Sequence, residues 1–402
     1  MRKSGDVVRV AKRKLAEASA SAIVLFVALS GTALHASELA VNAYCPFPVG
    51  SPRVMGMAGA FTGIGTGAES LIANPAAVVR PAGFTIGNSE WDYMLSYTSQ
   101  DPGFQSDFGN VGPALLGSEG VNIVGFGVIA RFNRATRCPL GYGMYLLSEN
   151  YNFTDGTGGT ASLNLLTTSL AFGRTYRDDR LFVSYALDVS SPSFNYLPPG
   201  EPSSISLAYQ GAGGVPLSIG LLWVPEDKPF QLGARIRGPR AASLDGDPIP
   251  TINPFPTTVV WPGEFSLGFA WKWGGEAPKN HGEWCKRGLL DIDVRGVFPM
   301  SGTTGFERFR SASPLEIRDE WLLQPSFGLE WEIYSRIAWF WMGVYREPAR
   351  YSDVGARTHV TSGFKVRLLK IKKLLVNLSV AGDTAERYDV WSTSLGVGLA
   401  DW

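Results

Sequence analysis

From residue 83 to the C-terminus, apolar and polar side chains take turns along the chain. Residues 230–237 (FQLGARIR) put Phe230, Leu232, Ala234 and Ile236 on one face and Gln231, Gly233, Arg235 and Arg237 on the other. Residues 265–273 (FSLGFAWKW) set Phe265, Leu267, Phe269, Trp271 and Trp273 against Ser266, Gly268, Ala270 and Lys272. A period of two belongs to β-strands. Similar runs occupy 84–97, 121–132, 140–153, 162–176, 181–190, 204–210, 217–224, 288–298, 325–334, 336–346, 358–370, 374–381 and 390–400, fifteen in all. Tight turns at 177–180, 225–228 and 334–336 alternate imperfectly with long Pro-, Gly- or charge-rich connections at 191–203, 239–262, 274–287 and 301–319. Most runs approach the roughly 9–11 residues of a tilted membrane-spanning strand. A greasy face opposite a polar one fits a soluble sandwich, with the greasy face inward, or a membrane barrel, with it turned to lipid. No second apolar set is reserved for an inner core, which favours the barrel. Such barrels have an even number of strands, so fifteen is one too many or one too few.

Composition agrees with many strands and turns. The chain has 402 residues, with 47 Gly, 22 Phe, 14 Tyr and 12 Trp, and only 18% are charged, below the ~25% of ordinary soluble domains. Zero formal net charge offers neither a nucleic-acid footprint nor a polybasic lipid patch. The first residues read as an export signal: Arg2, Lys3, Arg9, Lys12, Arg13 and Lys14 precede an apolar run at 22–34. About 13 residues suit a signal peptide and fall short of the ~20 of a spanning helix. A signal over 1–36 is expected, with cleavage after Ala33, Ala36 or Ala43. No other apolar stretch is long enough for a membrane helix, so a membrane-resident mature chain must be a barrel. Trp91, Tyr93, Tyr97, Trp223, Trp261, Trp271, Trp273, Trp321, Trp331, Trp339, Trp341 and Trp391 gather near strand ends, as interfacial girdles do.

Between signal and strands lies a different stretch, residues 50–77 (GSPRVMGMAGAFTGIGTGAESLIANPAA). Gly63, Gly65 and Gly67 imitate a phosphate loop, but such a loop needs a preceding strand and a following helix; an export signal and Pro75 flank this one. Arg53-Val54-Met55-Gly56-Met57-Ala58-Gly59-Ala60-Phe61, Ser70 and Asn74-Pro75-Ala76 together resemble the N-terminal hatch of the FadL-like outer-membrane transporters of hydrophobic compounds. Residues 216–225 with 232–235, 327–331 with 341–348, and 359–364 resemble that family's mid-barrel hairpin and C-terminal third, in the same order. Ala77 replaces the family's glycine, and Thr66 and Gly67 replace its usual acidic residues. The resemblance implies a fourteen-stranded antiparallel barrel over 83–402 in the bacterial outer membrane, with a lumenal hatch at 44–82. Met55, Gly56, Met57, Gly59, Phe61, Asn74, Pro75 and Ala76 would form the hatch and gate. It implies passive entry of long-chain fatty acids or other hydrophobic molecules such as aromatic hydrocarbons, a monomer surrounded by outer-membrane lipid, and insertion by the barrel-assembly machinery, whose terminal aromatic signal Trp402 resembles. The alternative is a PorV-like structural or secretion-associated barrel that docks a protein partner.

Chemistry is sparse. Among three histidines, His35 leaves with the signal, His281 lies in a Gly/Pro/Lys loop, and His359 opens a strand. No nucleophile elbow or zinc-binding helix accompanies them, so neither enzyme activity nor a cofactor is expected. Cys45, Cys138 and Cys285 form no disulfide framework or metal spacing, and bulky Tyr44 argues against a lipidated Cys45. Asp291 and Asp293 share a strand face, where a polar lumen explains them more simply than a metal. Arg131, Arg235, Arg237, Lys272 and Arg295 fall on faces assigned to the lumen. With Phe61 they are the candidate ligand contacts, since a greasy pocket with a convergent cation suits a carboxylate on an apolar body.

Overall fold

The computed structural model describes residues 40–100, 110, 120–132, 139–154, 159–177, 179–200, 202–244, 256–274, 284, 287–305, 317–371 and 374–399. The expected signal, Cys138, His281, Cys285 and Trp402 lie outside these residues.

Fourteen antiparallel strands close into a barrel. Two short strands, β1 (Ala40–Asn42) and β2 (Phe84–Ile86), precede its wall. The first five wall strands are continuous: β3 (Ser89–Gln100), β4 (Gly120–Phe132), β5 (Leu140–Thr154), β6 (Thr160–Tyr176) and β7 (Leu181–Leu197). Three interrupted strands follow: β8 (Ile205–Gly214) with β9 (Leu217–Trp223), β10 (Phe230–Arg237) with β11 (Arg240–Leu244), and β12 (Thr258–Trp261) with β13 (Glu264–Trp273). After β14 (Gly288–Val297) and the short β15 (Thr303–Gly305), the wall continues through β16 (Leu322–Tyr334), β17 (Ala338–Glu347), β18 (Arg357–Ile371), β19 (Leu374–Ala385) and β20 (Tyr388–Leu399). Pairing of Val390, Trp391, Ser392 and Thr393 with Gln100, Ser99, Thr98 and Tyr97 closes the ring.

The alternation in the sequence becomes inside and outside. Along β16, Leu323, Pro325, Phe327 and Trp331 face out while Gln324, Ser326 and Glu332 are buried. Large apolar side chains stay open to the surroundings around the wall, with Leu267 56%, Leu323 53% and Val360 61% exposed. A water-soluble sheet would bury that face; a barrel in lipid presents it. Connections 133–139, 177–180, 224–229, 335–337 and 372–373 lie at the end where the wall starts and finishes, together with the longer 274–287. The opposite end carries 101–119, 245–257 and 298–321.

The interrupted strands depart from a simple reading of the pattern. In β9, β10 and β13 the inward residues are Ser218, Gly220 and Leu222; Gln231, Gly233 and Arg235; and Glu264, Ser266 and Gly268. Across Pro216, Pro239 and Pro262 the parity switches, so Leu207, Tyr209, Arg240, Ala242, Val259 and Trp261 are buried too. Proline has no N–H for the ladder and fixes φ. The neighbouring groups re-pair around it, with Val215 N donating to Pro239 O at 2.8 Å and Gly238 N to Leu217 O at 2.9 Å. The stretch 239–262, read as a loop, therefore contains β11 and β12, 301–319 contains β15, and β7 runs seven residues into 191–203. In the gap between β12 and β15, β1 pairs parallel to both, Val41 opposite Val259 and Thr304. Val41 thereby joins Leu163, Leu165, Phe194, Tyr196 and Leu207 in an apolar cluster inside the wall.

Candidate functional site in the barrel lumen

Residues 43–82 run through the interior and carry little regular structure: a short helix α1 (Pro52–Gly56) and two 3-10 turns, Ala68–Ser70 and Pro75–Val79. Ser51 caps α1, its Oγ accepting from Val54 N at 3.3 Å, and Pro52 fits the first helical position. A segment this irregular leaves many backbone groups to satisfy. The polar lumen face supplies the partners. Asp293 accepts from Phe61 N (2.8 Å) and Thr62 N (2.7 Å). Gln231 donates to Ile64 O (2.9 Å), Arg235 to Ile72 O (2.6 Å), Thr361 to Gly56 O (2.9 Å) and Gln324 to Pro46 O (2.8 Å).

Asn74 holds three groups at once. Its Nδ2 donates to Thr62 O and Leu221 O, both at 3.0 Å, and its Oδ1 caps the following turn by accepting from Ala76 N at 3.0 Å. Pro75 and Ala76 begin that turn and are buried. Close approach demands glycine on the wall: a Cβ on Gly220 would sit 2.4 Å from Asn74 Oδ1, and one on Gly233 would sit 1.9 Å from Thr62 O. Met55, Met57 and Phe61 are buried against Ala270, Leu289, Trp341 and Tyr345. Gly56 touches Trp341, and Gly59 takes a positive φ of 72°.

Arg53 ties the segment to itself and to the wall. It pairs with Glu69 at 2.7 Å and with both oxygens of Glu330, and it lies 5.0 Å over the Phe61 ring. Burial, with the Arg131 guanidinium second, pushes Arg80 down to about 10. Burial also pushes the Cys45 thiol up, which keeps it protonated and unreactive.

Three of the five expected cations meet. Glu264 lies 2.6 Å from Arg295, 3.2 Å from Arg235 and 4.0 Å from Arg237, and Arg237 also pairs with Asp188 at 3.0 Å. Arg131 is elsewhere, bound to Glu90 and Asp179 near the strand ends, and Lys272 is exposed towards the end of β13. A fourth guanidinium that the alternation assigned to no face, Arg240, joins the cluster. It donates to Ser190 Oγ at 2.9 Å and stacks 5.1 Å over Trp261. The signal for it is the Gly238-Pro239 pair, which resets the parity of the next strand. His359 is buried, its Nδ1 3.0 Å from Asp383 and 2.8 Å from Tyr345 OH, its Nε2 2.9 Å from Glu347. Two carboxylates and a phenol brace the wall there, and none of its partners is a serine or thiol.

Two cavities flank the segment. The first, about 150 Å³, is lined by Phe47, Tyr145, Trp261, Arg237, Arg240 and Arg295 among others. The second, about 330 Å³, is lined by Arg53, Glu69, Asp92, Trp339, Trp341 and Lys365 among others. Helix α1 borders both, Val54 on the first and Pro52 and Arg53 on the second. The second cavity reaches Leu95 and Ser394, where pairing of β3 with β20 has ended.

No protein-family model and no curated protein matches the sequence. The fold does match solved structures. A Pseudomonas aeruginosa FadL homologue superposes with a TM-score of 0.53 at 12% identity, covering 88% of this chain and 99% of that one. The monoaromatic hydrocarbon channel CymD gives 0.52 at 13% identity over 89% and 99%, and the Ralstonia pickettii toluene transporter TbuX 0.51 at 14% over 88% and 99%. The fold is thus that of the FadL-like barrels.

Proposed function

We propose that this protein is a bacterial outer-membrane channel for small hydrophobic molecules, with residues 44–82 as its hatch. The observation carrying this reading is the pairing of an apolar outer wall with a lumen closed by a segment that is held through hydrogen bonds and leaves cavities on two sides. An apolar shell places the barrel in lipid. Hydrogen bonds to an irregular segment fix its position while each remains individually weak, so the hatch can shift. Similarity to channels for toluene and monoaromatic hydrocarbons supports the substrate class, and long-chain fatty acids fall within the same chemistry. The short-turn end of the barrel would face the periplasm. Ligand would enter at the long-loop end, lodge against the hatch, and leave when the Asn74-Pro75-Ala76 region moves. Pro216, Pro239 and Pro262, aligned on three adjacent strands, weaken the wall there and favour a lateral exit.

Uptake of toluene and of oleate into proteoliposomes, wild type against Asn74→Ala, tests the reading. Protein should accelerate entry, and the variant, short of three hydrogen bonds, should change the rate on the order of tenfold. Equal rates with and without protein would remove transport altogether.

A further inference from the structure

The charges around the first cavity do not cancel pairwise. Arg235, Arg237, Arg240 and Arg295 line it. Three of them share the single carboxylate of Glu264, and Asp188 pairs with Arg237 alone. The other two acids on its wall are turned to different partners: Glu149 accepts from Tyr151 OH at 2.7 Å, and Asp293 from the Phe61 and Thr62 amides. Arg240 is buried, yet among the described residues no carboxylate lies within ion-pair distance of it, and its Nε has no hydrogen-bond partner. Asp188, Glu264 and Glu149 act on it only from beyond that distance, and a buried guanidinium with no direct partner for its charge is costly. Trp261 lies against it and Ser190 Oγ holds its Nη1, so the group is positioned in advance with donors left for whatever enters. Around it stand the apolar faces of Phe47, Tyr145, Leu147 and Trp261.

Size selects among anions. A cavity near 150 Å³ accepts a single benzene-sized ring; the extended chain of a fatty acid exceeds it. We infer that the first cavity is a binding site for a compact aromatic carboxylate, its ring against Trp261 and Tyr145 and its carboxylate on Arg240. This inference rests on the transport reading and narrows its substrate class from hydrophobic molecules at large to aromatic acids of benzoate size.

Benzoate is the probe, with benzamide as its neutral isostere, and binding to the detergent-solubilised protein is read by calorimetry. Wild type should bind benzoate about tenfold or more tighter than benzamide, as a charge-assisted contact requires. Arg240→Gln should remove that preference, and Arg240→Lys should restore part of it. Equal affinities for the two probes in wild type, which needs no variant, would overturn the inference. So would full displacement of benzoate by oleate at equal stoichiometry. In proteoliposomes, toluene flux without benzoate flux overturns this inference alone, whereas the absence of both fluxes overturns the transport reading with it.

Discussion

At the scale of single residues, the polar lumen face has a definite task. Asp293 matches two adjacent amides of a segment that makes no ladder of its own. Asp293→Ala would orphan both amides in a buried place, at a cost of about 1–3 kcal/mol each. The variant should still insert as a barrel but lose thermal stability, seen as a lower temperature for the shift from folded to unfolded band in unboiled electrophoresis. Asp293→Asn, which keeps an acceptor oxygen, should fall between. An unchanged transition in Asp293→Ala would mean that the segment is held without that carboxylate. These residues were only partly legible in advance. Their alternate positions identified Arg235, Arg237, Arg295 and Asp293 as inward-facing, because parity is local. That Asp293 meets Phe61, 232 positions earlier, depends on closure of the ring and has no local signature. Arg131 and Lys272 share the correct face but sit too near the strand ends to reach the cavity, a matter of height that parity does not encode.

At the scale of elements, the surplus run in the sequence has a physical explanation. The segments 204–210 and 217–224 read as two strands, yet β8 and β9 are one strand interrupted at Pro216, both halves pairing with β7. Merging them reduces fifteen runs to fourteen. The same punctuation hid β11 and β12, since proline ordinarily ends a strand and here only shifts its register. β1 escaped notice because three residues carry no period. Its placement has a consequence for processing. Val41 is buried within the wall, and Ala43 N donates to Val260 O at 2.8 Å. Cleavage after Ala43 would remove the whole strand and bare the facing edges of β12 and β15, which invite faulty pairing. Mass spectrometry of the mature protein should therefore find an N-terminus at residue 34 or 37. A mature chain starting at Cys45 or Tyr44 would show that β1 is dispensable to the folded wall.

At the scale of the whole molecule, the proposed hatch function puts closure on a few charges in the middle of the lumen. Arg53 stands where α1 borders both cavities, and it neutralises Glu69 from the segment and Glu330 from β16 together; Trp341 Nε1 adds a bond to Glu330 at 2.8 Å. Remove the guanidinium and Glu69 and Glu330 lose the cation that bridges them, with Lys365 left nearby on the wall of the second cavity. They repel in a region of reduced dielectric, and the cavity left by the side chain adds space between the two compartments. Sodium ions, attracted by the under-neutralised acids, would then find a continuous path. In planar bilayers the wild-type barrel should hold near baseline current, whereas Arg53→Ala should open to a steady cation-selective conductance. Arg53→Lys keeps the charge but loses the bidentate fork, so it should flicker between the two levels. The outcome depends on the interior partition, so folding of each variant is checked separately by its heat-shifted band. A silent Arg53→Ala trace from a correctly folded protein would mean that packing by Phe61, Met55 and Met57 seals the lumen unaided, and the charged cluster would then hold the hatch in place without forming the barrier.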